Sequence, residues 1–246
     1  MKMLRDTYAL FGRLLKHVLR SPDTIITVTI MPVAIMLLFV YVFGGAIETG
    51  ADNYVNYMLP GILLMSIASG TAYTSVRLFS DREKGLFARF NSMPISRSSL
   101  LIAHVLVSIV SGLVTVFIIT AIALIMGFRT NAGILQLLTA LAVLTLFMFA
   151  LTWLAVIAGL GAKSVDGASA FSYPLIFLPF ISSAFVPTDT MPFAVRVFAE
   201  HQPVTSIVDA IRSLLCATPA YNAIWVSIAW CVAISVVGWL VGRRVR

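Results

Sequence analysis

The sequence predicts an all-α membrane protein, and three observations predict it. Hydrophobic residues make up 60% of the 246-residue chain and charged residues 11%, with a mean hydropathy of +0.99. A water-soluble domain carries roughly twice that charged share. The apolar residues fall in blocks long enough to cross a bilayer core, which takes about 20 helical residues per crossing. The basic residues, in turn, gather between those blocks.

Six blocks qualify as transmembrane helices: residues 24–44, 56–76, 99–127, 133–161, 167–187 and 221–242. They leave no room for a soluble domain, so residues 1–246 read as one membrane domain. The first block is too long for a signal-peptide core and lacks a small-residue cleavage site. Before it, residues 1–21 form an N-terminal amphipathic interfacial helix. Leu4, Tyr8, Phe11, Leu15 and Val18 share one face, and Lys2, Arg5, Arg13, Lys16 and Arg20 cluster opposite. Ser21-Pro22-Asp23 then breaks that helix and starts the first span.

Fourteen of the 17 basic residues lie on one side of the six blocks; only Arg129, Arg196 and Arg212 lie on the other. The positive-inside rule therefore places both termini in the cytoplasm, and the loop between blocks two and three with them. That loop reads RLFSDREKGLFARFNSMPISR from Arg77 to Arg97. On a helical wheel Leu86, Phe90 and Met93 share one face with Phe87 at its edge, while Lys84, Ala88 and Asn91 lie opposite. The net charge of +7 marks the cytoplasmic face, and no nucleic-acid-binding pattern accompanies it.

Short turns at 128–132 and 162–166 join the middle blocks. Pro174 and Pro179 predict a kink in the fifth. Residues 188–220 are too polar to span, yet they hold two helical pieces, about 192–200 and 205–217. Pro192 suits a first helical turn, Thr205 or Ser206 can cap the second piece, and Asp209 and Arg212 are spaced to pair on its surface. Both pieces are too short to cross, which predicts an outer re-entrant pair before span six. Cys216 and Cys231 read as small packing residues.

The blocks contain no Asp, Glu, Lys or Arg, which argues against a proton- or sodium-coupled carrier. His104, His17 and His201 show no metal-ligand spacing. Ser169, in Gly-Ala-Ser-Ala, has no histidine on a neighbouring span to serve as base, against an intramembrane protease. No G-x-x-x-x-G-K-[ST] phosphate loop occurs. A transport path in this chain needs an energy source on another polypeptide, and the amphipathic loop is the place for that polypeptide to dock.

Three stretches carry a family resemblance. Asp81-Arg82-Glu83-Lys84-Gly85-Leu86 with Met93-Pro94-Ile95-Ser96-Arg97, Ala184-Phe185-Val186-Pro187 with Met191-Pro192, and His201-Gln202-Pro203-Val204-Thr205 with Asp209-Ala210-Ile211-Arg212 resemble the permease subunits of type-2 ABC exporters, most closely the daunorubicin-resistance-type drug exporters. The chain departs from the pattern at Phe87 and Ala88, where many members carry an acid, and at Gln202-Pro203, where many have Asn-Pro. The resemblance implies a homo- or heterodimer of six-span permeases in the cell membrane, each docked on an ATP-binding subunit that holds ATP and Mg, with no cofactor in this chain. It makes residues 80–94 a cytoplasmic coupling helix, with Arg82, Glu83, Lys84, Leu86, Phe87, Arg89 and Phe90 facing the ATPase. It makes residues 188–220 the outer re-entrant helices, with Pro203, Asp209 and Arg212 as their motif. It also lines the path between protomers with the second and fifth spans, here Ser66, Ser69 and Tyr73 with Phe171, Tyr173, Phe177 and Phe180. An aromatic, uncharged lining suits a hydrophobic or amphipathic small molecule exported by alternating access. The rival in the same class is a polysaccharide or glycolipid permease. The rival of another class is a non-transporting scaffold or an intramembrane enzyme.

Overall fold

The computed structural model describes residues 2–19, 22–44, 53–86, 97–217 and 221–244, and the regular structure in them is helical. Helix α1 (Lys2–Leu19) precedes α2 (Pro22–Leu38), which runs on into a π turn at Phe39–Phe43. Next come α3 (Tyr54–Glu83), α4 (Arg97–Ile125) and α5 (Ile134–Gly161). The fifth apolar block is divided into α6 (Val165–Ala170), α7 (Ser172–Phe177) and a 3-10 turn at Leu178–Ile181. Two short helices, α8 (Phe193–His201) and α9 (Pro203–Leu215), lead into α10 (Tyr221–Arg244).

Among the described residues four helices are long and apolar enough to cross a membrane: α3, α4, α5 and α10. The first and fifth blocks form shorter apolar helices at residues 28–43 and 165–181. The break in the fifth has a covalent cause. Pro174 and Pro179 have no backbone N–H to donate to the preceding turn.

Helix α3 is the centre of the molecule. Two thirds of its most apolar window is buried, against 17% for α10 at the rim. It packs against α2, α4, α5, α6, α7 and α9. Because lipid offers no hydrophobic drive between helices, such packing depends on close backbone approach at small residues. Gly159 of α5 supplies one such approach, since a Cβ there would sit 2.6 Å from the Ser75 carbonyl oxygen of α3. Gly61 supplies another, where a Cβ would meet that of Ala184 at 2.5 Å.

Two boundaries and one helix face differ from the sequence expectation. Hydropathy ends the second span at Val76, but α3 continues unbroken through Glu83, so residues 80–83 of the expected 80–94 helix belong to it. Loss of apolar character marks where the environment changes, whereas the backbone hydrogen bonds persist until Gly85, whose φ of +67° supplies the left-handed turn that ends a helix. Residues 87–96 of that segment lie outside the described residues. On α1 the packed face is rotated from the expected one. Thr7, Leu10 and Val18 are buried, with Phe11 and Leu14 against Leu100 and Ala103 of α4, while Tyr8 is 79% exposed. Finally, α9 starts at Pro203 with its ring in the first turn, so the expected cap at Thr205 or Ser206 lies inside the helix.

The N-terminus of α3 is tied down by side-chain bonds to the α4–α5 turn. Asn53 Nδ2 donates to the Gly127 carbonyl at 2.9 Å, and Asn56 exchanges two bonds with the Arg129 backbone at 2.9 and 3.1 Å. Gly159→Ala is expected to cost about 1–3 kcal/mol by forcing α3 and α5 apart, read as a lower unfolding temperature of the detergent-solubilised protein. An unchanged temperature would show that the contact is not tight.

Candidate functional site

The C-terminal end of α3 carries the first part of the expected docking segment. Glu83 and Lys84 are exposed and Leu86 is half-buried, while Phe87, Arg89 and Phe90 lie outside the described residues. Arg82 turns back into the chain. Its guanidinium donates to the Leu160 carbonyl and, at 2.6 Å, to the Ala162 carbonyl at the end of α5. It also lies 5.3 Å from the Phe79 ring centroid. The nearby Glu83 carboxylate is 3.6 Å away, an exposed pair worth at most about 1 kcal/mol. Carbonyl bonds to a charged donor are the stronger term.

One residue earlier, Asp81 Oδ2 sits 3.2 Å from Nε2 of His104 on α4. The sequence offered no acid on the same helical face as His104. The partner comes from an antiparallel helix across the 87–96 segment, a pairing only the tertiary register reveals.

A groove of about 430 Å³ opens between α2, α3 and the α6–α7 segment, within the range of small-molecule sites. Three of the expected path residues line it: Ser69 and Tyr73 from α3, and Tyr173 from α7. Val28 and Met31 of α2 and Ser169, Ser172 and Ile176 also contribute. None of these was singled out for a path from sequence, because the α2 contribution depends on how that helix crosses α3. The lining carries no charged side chain. Ser66 lies elsewhere, buried with its Oγ donating to Leu63 O at 2.7 Å. Phe171 is half-buried at the α6–α7 junction. Phe177 and Phe180 are exposed, with ring centroids 6.2 Å apart, and Phe180 stacks on Phe185 at 5.0 Å. Phe185 in turn stacks on Phe39 at 4.9 Å, so an aromatic row joins the π turn of α2 to the end of the broken segment.

At the opposite end of α3 the three motif residues of α9 meet the core. Arg212 Nη1 pairs with Asp209 Oδ1 at 2.8 Å, Nη2 donates to Ser183 O at 2.6 Å, and Nε donates to Tyr57 O at 3.2 Å. The guanidinium carbon lies 3.9 Å from the Tyr57 ring centroid, a cation–π contact. Ser183 Oγ donates to the same Asp209 oxygen at 2.6 Å. Asp209 and Arg212 therefore pair as their spacing predicts. Beyond that pair, the guanidinium joins α9, α3 and the 182–187 strap in one network. Gln202, just before Pro203, donates to the Ile181 carbonyl and anchors the start of α9 to the 3-10 turn.

The sequence profile of the family described as ABC-2 type transporter matches residues 5–216. The chain is 29% identical over 221 residues to the daunorubicin resistance ABC transporter permease protein DrrB1 of Streptomyces coeruleorubidus, a match covering 88% of this chain and 76% of that protein. It is 25% identical over 227 residues to the "Probable doxorubicin resistance ABC transporter permease protein DrrC" of Mycobacterium tuberculosis (strain ATCC 25618 / H37Rv), covering 92% and 82% respectively.

Arg212→Ala removes a charged partner from Asp209 and the donor to the Ser183 carbonyl, at an expected cost of about 3 kcal/mol in stability. Arg212→Lys should recover only part of it, because an ammonium cannot make the planar three-way contact. Thermal unfolding in detergent measures both. If the Ala variant unfolds at the wild-type temperature, the network is not a stabilising one.

Proposed function

The chain belongs to the ABC-2 type transporter family, and from that premise we propose that it forms the translocation path of an ATP-driven exporter for a hydrophobic or amphipathic small molecule. It is a permease, and ATP hydrolysis takes place on a partner subunit. Family membership sets aside the reading as a non-transporting scaffold or an intramembrane enzyme.

The observation that carries the proposal is that one helix serves two places. Ser69 and Tyr73, in the middle of α3, line the uncharged groove, and the same helix ends 10 residues later at Glu83 and the docking segment. A push on that end moves the groove wall without an intervening joint. In this reading α2 with its π turn and the α6–α7 segment complete a set of six crossings, both termini face the cytoplasm, and a second protomer faces the groove. The broken backbone of α6–α7 is then tolerated because it is covered by protein. Closure of the ATP-binding subunits moves Glu83, Lys84, Leu86, Phe87, Arg89 and Phe90, and the outer α8–α9 pair gates exit. Support for a small molecule over a glycan comes from the groove's size and its largely apolar wall.

Two measurements on the reconstituted complex with its ATP-binding subunit test the reading. Leu86→Asp should cut substrate-stimulated ATPase activity by about tenfold or more, as loss of a buried interface anchor does. Retained stimulation would remove Leu86 from the contact. Tyr73→Ala and Tyr173→Ala should each raise the half-saturating concentration of a transported amphiphile about tenfold, the loss of one aromatic contact. Daunorubicin, for which the Streptomyces relative is named, is the first compound to try. Unchanged values in both variants would place the path elsewhere.

A further inference from the structure

Helix α3 carries a second polar face, turned away from the groove. Ser66, Thr74, Arg77 and Asp81 recur at intervals of a turn or two, and on the antiparallel α4 His104, Ser108, Ser111 and Thr115 do the same. The stripes face each other. Asp81 meets His104 at 3.2 Å and Thr74 hydrogen-bonds Ser108. Beside the Thr74–Ser108 rung lies a cavity of about 40 Å³, which Arg77, Ser66, Ser111 and Thr115 line together with Met148 and Thr152 of α5. That is room for ordered water beside several hydroxyls.

Three details say what the cavity holds. The Ser111 hydroxyl lines it and is fully buried without a protein hydrogen-bond partner, so it needs a partner from solvent. The hydroxyls of Thr115 and Thr152 donate to carbonyls of their own helices at 3.1 and 2.7 Å, which leaves their lone pairs to accept from water. Arg77 lines this cavity and also the wide cleft of about 910 Å³ between α1 and α3. Its Nε donates to Tyr73 O at 3.3 Å, and no ion pair to it is found among the described residues. Among the described residues Arg13, Lys16 and Asp81 line the same cleft, and Asp81, one turn from Arg77, is the acid whose charge acts on it.

We propose that the α3–α4 seam is a hydrated inlet with a site at Arg77 for water and small anions, and that the guanidinium excludes cations from it. The physical ground is that a fixed charge at a pore mouth sets an electrostatic barrier against its own sign. The inlet lies within one protomer, on the other side of α3 from most of the groove, and Val28 and Tyr73 form the wall common to both. It requires neither a substrate nor an ATP-binding subunit, so it stands apart from the transport reading.

Alkylation with iodoacetate and with iodoacetamide, reagents of similar size that differ in charge, tests it. The protein is taken in lipid nanodiscs with Cys216 and Cys231 replaced by Ser and a cysteine introduced by Ser111→Cys. The introduced thiol should react with both reagents. Its iodoacetate-to-iodoacetamide rate ratio should exceed that of free glutathione by about tenfold, the size of a single-charge interaction at short range. In the Arg77→Gln background the ratio should fall to the glutathione value. A thiol introduced by Phe117→Cys, on the exposed apolar face of α4, should stay unreactive. No alkylation of the folded Ser111→Cys protein would overturn the inlet. A ratio no higher than that of glutathione, or one unaffected by Arg77→Gln, would overturn the anion site. If Arg77→Gln fails to accumulate, the comparison with glutathione decides.

Discussion

Polar side chains on a helix buried in protein need hydrogen-bond partners, and α3 is the most buried of the four long helices. It bears Asn53 and Asn56 at one end, a run of serines and threonines in the middle, and Arg77, Asp81 and Arg82 at the other. Asn53, Asn56, Thr74 and Arg82 are met by the α4–α5 turn, α4 itself and the carbonyls closing α5, while Ser66, Ser69, Thr71 and Arg77 donate to carbonyls of α3 itself. Breaking one partner inside a low-dielectric interior exposes the full desolvation cost of the other. The neighbouring helices are thereby fixed in rotation about α3, and the glycine contacts fix their distance. The groove, the polar seam and the Arg212 network are three sectors of this one arrangement.

Those sectors also explain why the groove has an uncharged wall although its central helix is rich in polar residues. Thr74, Asp81 and Arg82 of α3 reach α4 and the end of α5, where partners exist. The face toward α2 and α7 keeps Ser69, Tyr73 and apolar neighbours. An amphipathic molecule meeting that face finds aromatic surface and a few oxygens, with no fixed charge to solvate.

Much of this was legible in the sequence wherever a signal is local. The amphipathic period of α1, the proline breaks of the fifth block and the three-residue spacing of Asp209 and Arg212 depend on neighbours along the chain, and they appear where the residues put them. What could not be read depends on register between helices. Nothing in the spacing of Asp81 and His104 identifies them as partners. The exposure of Tyr8 follows from how α1 is rolled on α4, not from its periodicity. The end of α3 was misplaced for a different reason. Hydropathy measures the preference of side chains for lipid, while helix continuation is decided by backbone bonding and by what the charged side chains can reach.

Arg82 shows how such a charge can be turned back onto the chain. The carboxyl end of a long helix bears the equivalent of about half a negative charge, and Arg82 sits on the last carbonyls of α5. Three residues on, Ser164 caps the positive end of α6 and Asp166 lies in its first turn. The corner where α5 turns into α6 thus pairs each helix dipole with a side chain of opposite sign. At this end of the molecule Glu83 and Lys84 stand exposed, while the Arg82 guanidinium is turned onto the carbonyls of α5.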